Sequence, residues 1–206
     1  MKKKLIVFCM AVGLSLTLAA PSFAVPTLDL NADSLATGTY TSGSPLIIST
    51  AFGSVSFVGE INSTPGGDDE FIAAGASGNT FDVPSTPNDA ELSWSNFEVR
   101  SAEFIYGGNA GNITIEARDI NGNVLDSFSQ SDTGFQQPAG PITLYAGYTG
   151  AVENSIRSLW WTDTSSTNEM AALDNITLSI IPAPGAILLG SIGVGFVGWL
   201  RRRRTL

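Results

Sequence analysis

Asn112-Ile113-Thr114-Ile115-Glu116-Ala117-Arg118-Asp119-Ile120-Asn121-Gly122-Asn123-Val124-Leu125-Asp126-Ser127-Phe128 is the stretch that decides the fold class. Ile113, Ile115 and Ala117 share one side of an extended chain, and Thr114 and Glu116 share the other. That period of two is the mark of a half-buried strand. Asp119 to Asn123 supplies turn chemistry, with Asn121-Gly122 able to take positive φ. Val124 to Phe128 is the return strand. The segment reads as a β-hairpin.

The same period recurs on either side. Val55-Ser56-Phe57 and Leu92-Ser93-Trp94 alternate, the second ahead of a break near Asn96. Ala102 to Tyr106 puts Phe104 and Tyr106 on one face. Further strands are expected at Pro141 to Ala146, Ile156 to Trp161 and Leu173 to Ile180, where Ile176, Leu178 and Ile180 share a side. Glycine, serine, asparagine and proline punctuate the runs. Only Ala151 to Leu159 offers a short helical candidate. Many short strands separated by turns predict an all-β fold, an antiparallel β-sandwich of jelly-roll type. The Asp119 to Asn123 hairpin, with Asp174-Asn175-Ile176 in the closing strand, resembles the galactose-binding-like jelly rolls of bacterial surface proteins. That resemblance implies a jelly-roll topology and carbohydrate binding.

The two ends follow a different logic. Lys2, Lys3 and Lys4 precede an apolar run from Leu5 to Leu18 that no charge interrupts, and Ser22-Phe23-Ala24 places small residues before a cleavage point after Ala24. This is the pattern of a secretory signal peptide over residues 1–24. At the other end, Gly185 to Leu200 is uncharged and is followed at once by Arg201, Arg202, Arg203 and Arg204. The run falls slightly short of the roughly 20 residues that span a bilayer comfortably. Four arginines beside it act as a membrane stop and stay cytoplasmic. Pro182-Ala183-Pro184 stands just ahead of it. The order of proline motif, glycine-rich apolar helix and terminal arginine cluster resembles the PEP-CTERM sorting tail, here over residues 181–206. Ala183 stands where the family's motif usually has Glu. The resemblance implies export in a Gram-negative-type bacterium and a membrane-anchored intermediate. It implies an exosortase-type sorting enzyme as partner, then release to the cell surface or an exopolysaccharide and biofilm matrix.

Between these ends lies one domain, residues 25–180. It carries three arginines, Arg100, Arg118 and Arg157, against all 19 acidic residues, a net charge of −16. Three arginines among 19 acids form no basic surface to neutralise phosphates, so nucleic acid is excluded as a partner. The chain has no histidine, the domain has no lysine, and the sole cysteine, Cys9, lies in the leader. The usual general base, transition-metal ligand and Schiff-base amine are therefore missing. No catalytic residue is assigned. A pair of carboxylates for glycoside hydrolysis can always be picked from so many acids, and no motif singles one out.

Two sets of residues remain as candidate sites. Asp29, Asn31 and Asp33 present oxygens at alternate positions and, with Asp174, form a candidate structural calcium set; solvated turn residues are the other reading. Ser34-Leu35 stands where an EF-hand has glycine, so that loop is rejected. No other cofactor is implied. Trp160 and Trp161, with Gln136 and Gln137, are candidate carbohydrate-binding residues, because ring faces stack on sugar C–H surfaces while amides bond hydroxyls. Alternation places one of the two tryptophans in the core and the other outside. Tyr145, Tyr148 and Phe135 lie nearby in sequence. The resulting expectation is an exported envelope protein, structural or polysaccharide-associated. A lectin-like surface protein is one alternative and an envelope hydrolase another.

Overall fold

A computed structural model describes residues 25–63, 76–84, 88–108, 113–130, 141–150, 152–163, 171–182 and 193. Among them run fourteen strands: β1 (Thr27–Leu30), β2 (Gly38–Tyr40), β3 (Leu46–Thr50), β4 (Gly53–Ser63), β5 (Asn79–Asp82), β6 (Asp89–Trp94), β7 (Glu98–Gly108), β8 (Ile113–Arg118), β9 (Val124–Gln130), β10 (Ile142–Tyr145), β11 (Tyr148–Thr149), β12 (Val152–Glu153), β13 (Ser158–Asp163) and β14 (Ala171–Ile181). Every pairing is antiparallel. The first sheet places β10 beside β7, then β14, then β5 and β1 end to end along the far edge of β14. The second runs β3, β4, β6, β13, β8, β9.

β4 belongs to both sheets. Its first half, through Val58, pairs with β3 and β6; its second half, from Gly59, pairs with β2 and β5. The strand turns the corner at Gly59, whose φ is +153°. A Cβ there would lie 2.5 Å from Phe57 Cζ and 2.8 Å from both Ala90 Cβ and the Asp82 carbonyl. Glycine is required because the two sheets close on the backbone at that point.

Alternation fills the space between the sheets. Val55, Phe57 and Ile61 point inward from β4, and Ile113, Ile115 and Ala117 from β8. Phe57 links the layers: it packs edge-on against Phe81 of β5 at 5.1 Å and stacks on Trp161 of β13 at 6.1 Å. Each such fully buried side chain contributes about 1.5–3 kcal/mol. The hairpin closes as expected, with Asp119 N–H donating to the Asn123 carbonyl and Gly122 N–H to the Asp119 carbonyl. Only Gly122, at φ +80°, takes the positive angle; Asn121 does not.

Two local readings change. Ala151 to Leu159 contains no helix among its described residues; it holds β12 and the start of β13. In β14, both Leu173 and Ile176 face the core although their spacing is odd. A bulge between Asp174 and Thr177, with Asn175 at φ 50°, shifts the phase. No helix among the described residues is long and apolar enough to cross a membrane. The signal peptide with Ala24, the motif residues Ala183 and Pro184, and Arg201 to Arg204 lie outside the described residues.

Candidate functional site

The neighbours Trp160 and Trp161 lie on opposite sides of β13. Trp161 is fully buried, and its indole N–H donates to the Ala171 carbonyl at 3.2 Å. Trp160 is half-buried on the outer side of the second sheet. Its indole N–H donates to Asp89 Oδ2 at 3.1 Å, and the Arg118 guanidinium sits 4.1 Å from its ring centroid. Arg118 is held in turn by Glu116, 2.6 Å away. One ring face and one ring edge of Trp160 are thus fixed by charged neighbours.

Register builds the rest of the surface. Val58, Glu91, Trp160 and Glu116 are successive partners across β4, β6, β13 and β8. The next row up is Ile47, Ser56, Ser93, Ser158 and Arg118, across β3 to β8. Three serines therefore stand side by side on adjacent strands, about 4.8 Å apart by strand spacing. Above this serine floor lies a groove of about 520 Å³. Ile47, 56% exposed, and Ile120, 71% exposed on the β8–β9 turn, wall it from opposite edges. A second concavity of about 380 Å³ is lined by Trp160, Arg118, Asp89 and Val58. Glu91 borders both.

The charges of this face are mostly spoken for. Arg157 donates to the Ser95 and Phe97 carbonyls at 3.1 and 2.8 Å and to Glu98 at 2.9 Å. Asp119 accepts from the Asn121 and Asn123 backbone and from the Asn123 side chain. The Asn123 side-chain bond leads in holding the Asp119 carboxyl below its ordinary range. The carboxylate of Glu91 has no hydrogen-bond or ion-pair partner among the described residues. The arrangement offers a ring, a row of hydroxyls, apolar walls and a carboxylate within two adjoining hollows. Those are the parts of a site that holds a hydroxyl-rich chain.

Gln136, Gln137 and Phe135 lie outside the described residues. Tyr145 and Tyr148 are exposed, at the end of the sandwich bearing β11 and β12. The candidate calcium residues divide. Asp33 and Asp174 converge on Ser77, whose backbone N–H donates to Asp174 at 3.0 Å and whose hydroxyl approaches Asp33 at 3.5 Å. Asn31 spends its side-chain oxygen on Asp33 N–H, and Asp29 accepts from the Thr177 hydroxyl. Among the described residues no group of three or more acidic, histidine or cysteine side chains is arranged to hold a metal ion.

Sequence reading missed Glu91 and the serine row, which become neighbours only through cross-strand register. It also missed Asp82 on β5, 2% exposed, which accepts from the Thr80 hydroxyl at 2.9 Å. Burial pushes its carboxyl up to about 7, with Glu60 and Asp174 adding repulsion against hydrogen bonds from Thr80 and Asn62. Burial likewise raises Asp174.

No protein-family model matches the chain, and no curated protein matches it. Several solved structures are similar in fold. One is CBM86, a low-affinity xylan-binding module from Roseburia intestinalis, at 9% identity over 76% of this chain and 96% of that one, with a TM-score of 0.38. Another is the K2 cleaved adhesin domain of Lys-gingipain, at 11% identity over 74% and 99%, with a TM-score of 0.43. A family 29 carbohydrate-binding module aligns at 8% identity over 76% and 89%, with a TM-score of 0.37. The likeness is one of fold alone.

Proposed function

We propose that this protein is a non-catalytic glycan-binding module of the bacterial envelope. The outer face of its second sheet is the contact surface. The observation that carries the reading is Trp160, held half-buried in the hollow that adjoins the serine-floored groove across Glu91, while its neighbour Trp161 serves the core. An aromatic ring beside a hydroxyl row and apolar walls suits the mixed character of a sugar chain. Affinity electrophoresis in gels containing soluble polysaccharides tests it. Retardation by a glycan, lost in a Trp160→Ala variant that stays folded with a melting temperature only a few degrees lower, supports the reading; no retardation by any glycan removes it.

The place of action is a second part of the proposal. The described fold begins with β1 at Thr27, three residues beyond Ala24, and its last strand ends at Ile181, against Pro182. Ile180 N–H donates to the Pro26 carbonyl at 2.8 Å, so the two chain exits lie side by side. Cleavage at both proposed points would leave every described strand intact. The fold is thus compatible with loss of both ends, while export, a membrane-held intermediate and sorting by an exosortase-type enzyme to the surface matrix rest on the terminal sequences themselves. Mass spectrometry of the surface form decides it: an intact Arg201 to Arg204 tail on that form sinks the sorting step.

A further inference from the structure

We infer that the groove selects glycans carrying free amino groups, de-N-acetylated hexosamine chains, over their acetylated or acidic counterparts. The inference rests on the glycan reading of this face. Glu91 lies at the centre of the surface, between Val58 and Trp160 in its row, and borders both hollows. Its carboxylate has no cationic partner among the described residues, within a domain of net charge −16. The two guanidinium groups that reach the face are already committed: Arg118 to Glu116 and to the Trp160 ring, Arg157 to Glu98 and two carbonyls. A uronate or sulfate chain would find no free cation there and would meet an unneutralised carboxylate. A protonated amine on a sugar lying along the serine row would pair with that carboxylate. The hydroxyls of Ser56 and Ser93 and the ring of Trp160 are independent of the charge on the sugar. An acetylated chain should therefore bind more weakly through the same contacts.

The test is titration calorimetry of the full chain, kept in mild detergent because of its apolar termini. The probes are a glucosamine hexaose, its N-acetylated counterpart and a galacturonate hexaose. The glucosamine chain should bind about fivefold more tightly than the acetylated one, the yield of one exposed ion pair. The acidic chain should show no heat of binding. Glu91→Gln should bring the two affinities together by weakening only the first, at an unchanged melting temperature. Equal affinities in the wild type, a preference that survives Glu91→Gln, or binding of the galacturonate chain overturns the amine selectivity while leaving a glycan-binding groove. Failure of all three probes and of neutral glucans overturns the groove itself.

Discussion

The guanidinium of Arg118 lies 4.1 Å from the centroid of the Trp160 ring, and the same guanidinium is paired with Glu116 at 2.6 Å. The carboxylate orients the cation and the cation covers one face of the indole, leaving the rest of the ring to border the hollow. Arg118→Ala should cost about 1 kcal/mol of stability, since both contacts are partly solvated. It should also shift the tryptophan emission of the folded state. Arg118→Lys restores the charge without the planar stack, and should recover less than half of the loss. Denaturant unfolding monitored by fluorescence checks both.

The two adjacent tryptophans should behave as opposites. Trp161→Ala empties a fully buried site stacked on Phe57 and should destabilise by about 3–5 kcal/mol. Trp160→Ala should lose less than about 1.5 kcal/mol, yet weaken glycan binding by more than tenfold. Parallel unfolding and binding measurements on the two variants separate core from surface. Equal loss of stability at both positions would contradict the assignment of faces.

At the corner of β4, Gly59→Ala should destabilise by about 2–4 kcal/mol. The added Cβ would meet Phe57 and Ala90 side chains and the Asp82 carbonyl inside contact distance. By contrast, Gly122→Ala, in open space on the hairpin turn, should cost only about 1 kcal/mol, for its φ of +80° alone. Thermal unfolding of the pair distinguishes crowding from backbone strain.

Asp82 gives the protein a pH dependence of unusual sign. Burial raises its carboxyl to about 7 in the folded state, against about 3.9 in an unfolded chain. Between those values the folded protein holds a proton that the unfolded chain has released. Stability therefore falls as pH rises from about 4 to about 7 and levels off above. Asp174, raised in the same direction by burial, adds to the trend. Asp82→Asn keeps an oxygen for the Thr80 hydroxyl and should stabilise the protein at pH 8 by up to about 4 kcal/mol. The advantage should vanish near pH 4. Urea unfolding across that range is the check.

The strand periodicity of β4, β6 and β8 was legible in the sequence because each puts apolar residues on alternate positions over a single buried face, and parts of β7 and β14 were legible from Phe104 and Tyr106 and from Ile176, Leu178 and Ile180. The hairpin was legible because Asp119, Asn121 and Gly122 carry their turn chemistry locally. β1, β2, β3 and β5 were not, being short and without a clear period. The β14 bulge escaped because nothing in Asp174-Asn175 announces a change of phase.

By itself, then, the order of residues determined the all-β class, the acidic body without the usual catalytic bases, and the opposite facing of Trp160 and Trp161. These depend on composition and on neighbours one or two positions apart. The groove was decided only by tertiary structure. Ser56, Ser93 and Ser158 come from strands far apart in the chain, and Glu91 meets Trp160 through backbone register that side-chain pattern does not specify. The raised carboxyl of Asp82 arises the same way, since desolvation depends on what the fold stacks around a residue and not on its neighbours in the chain.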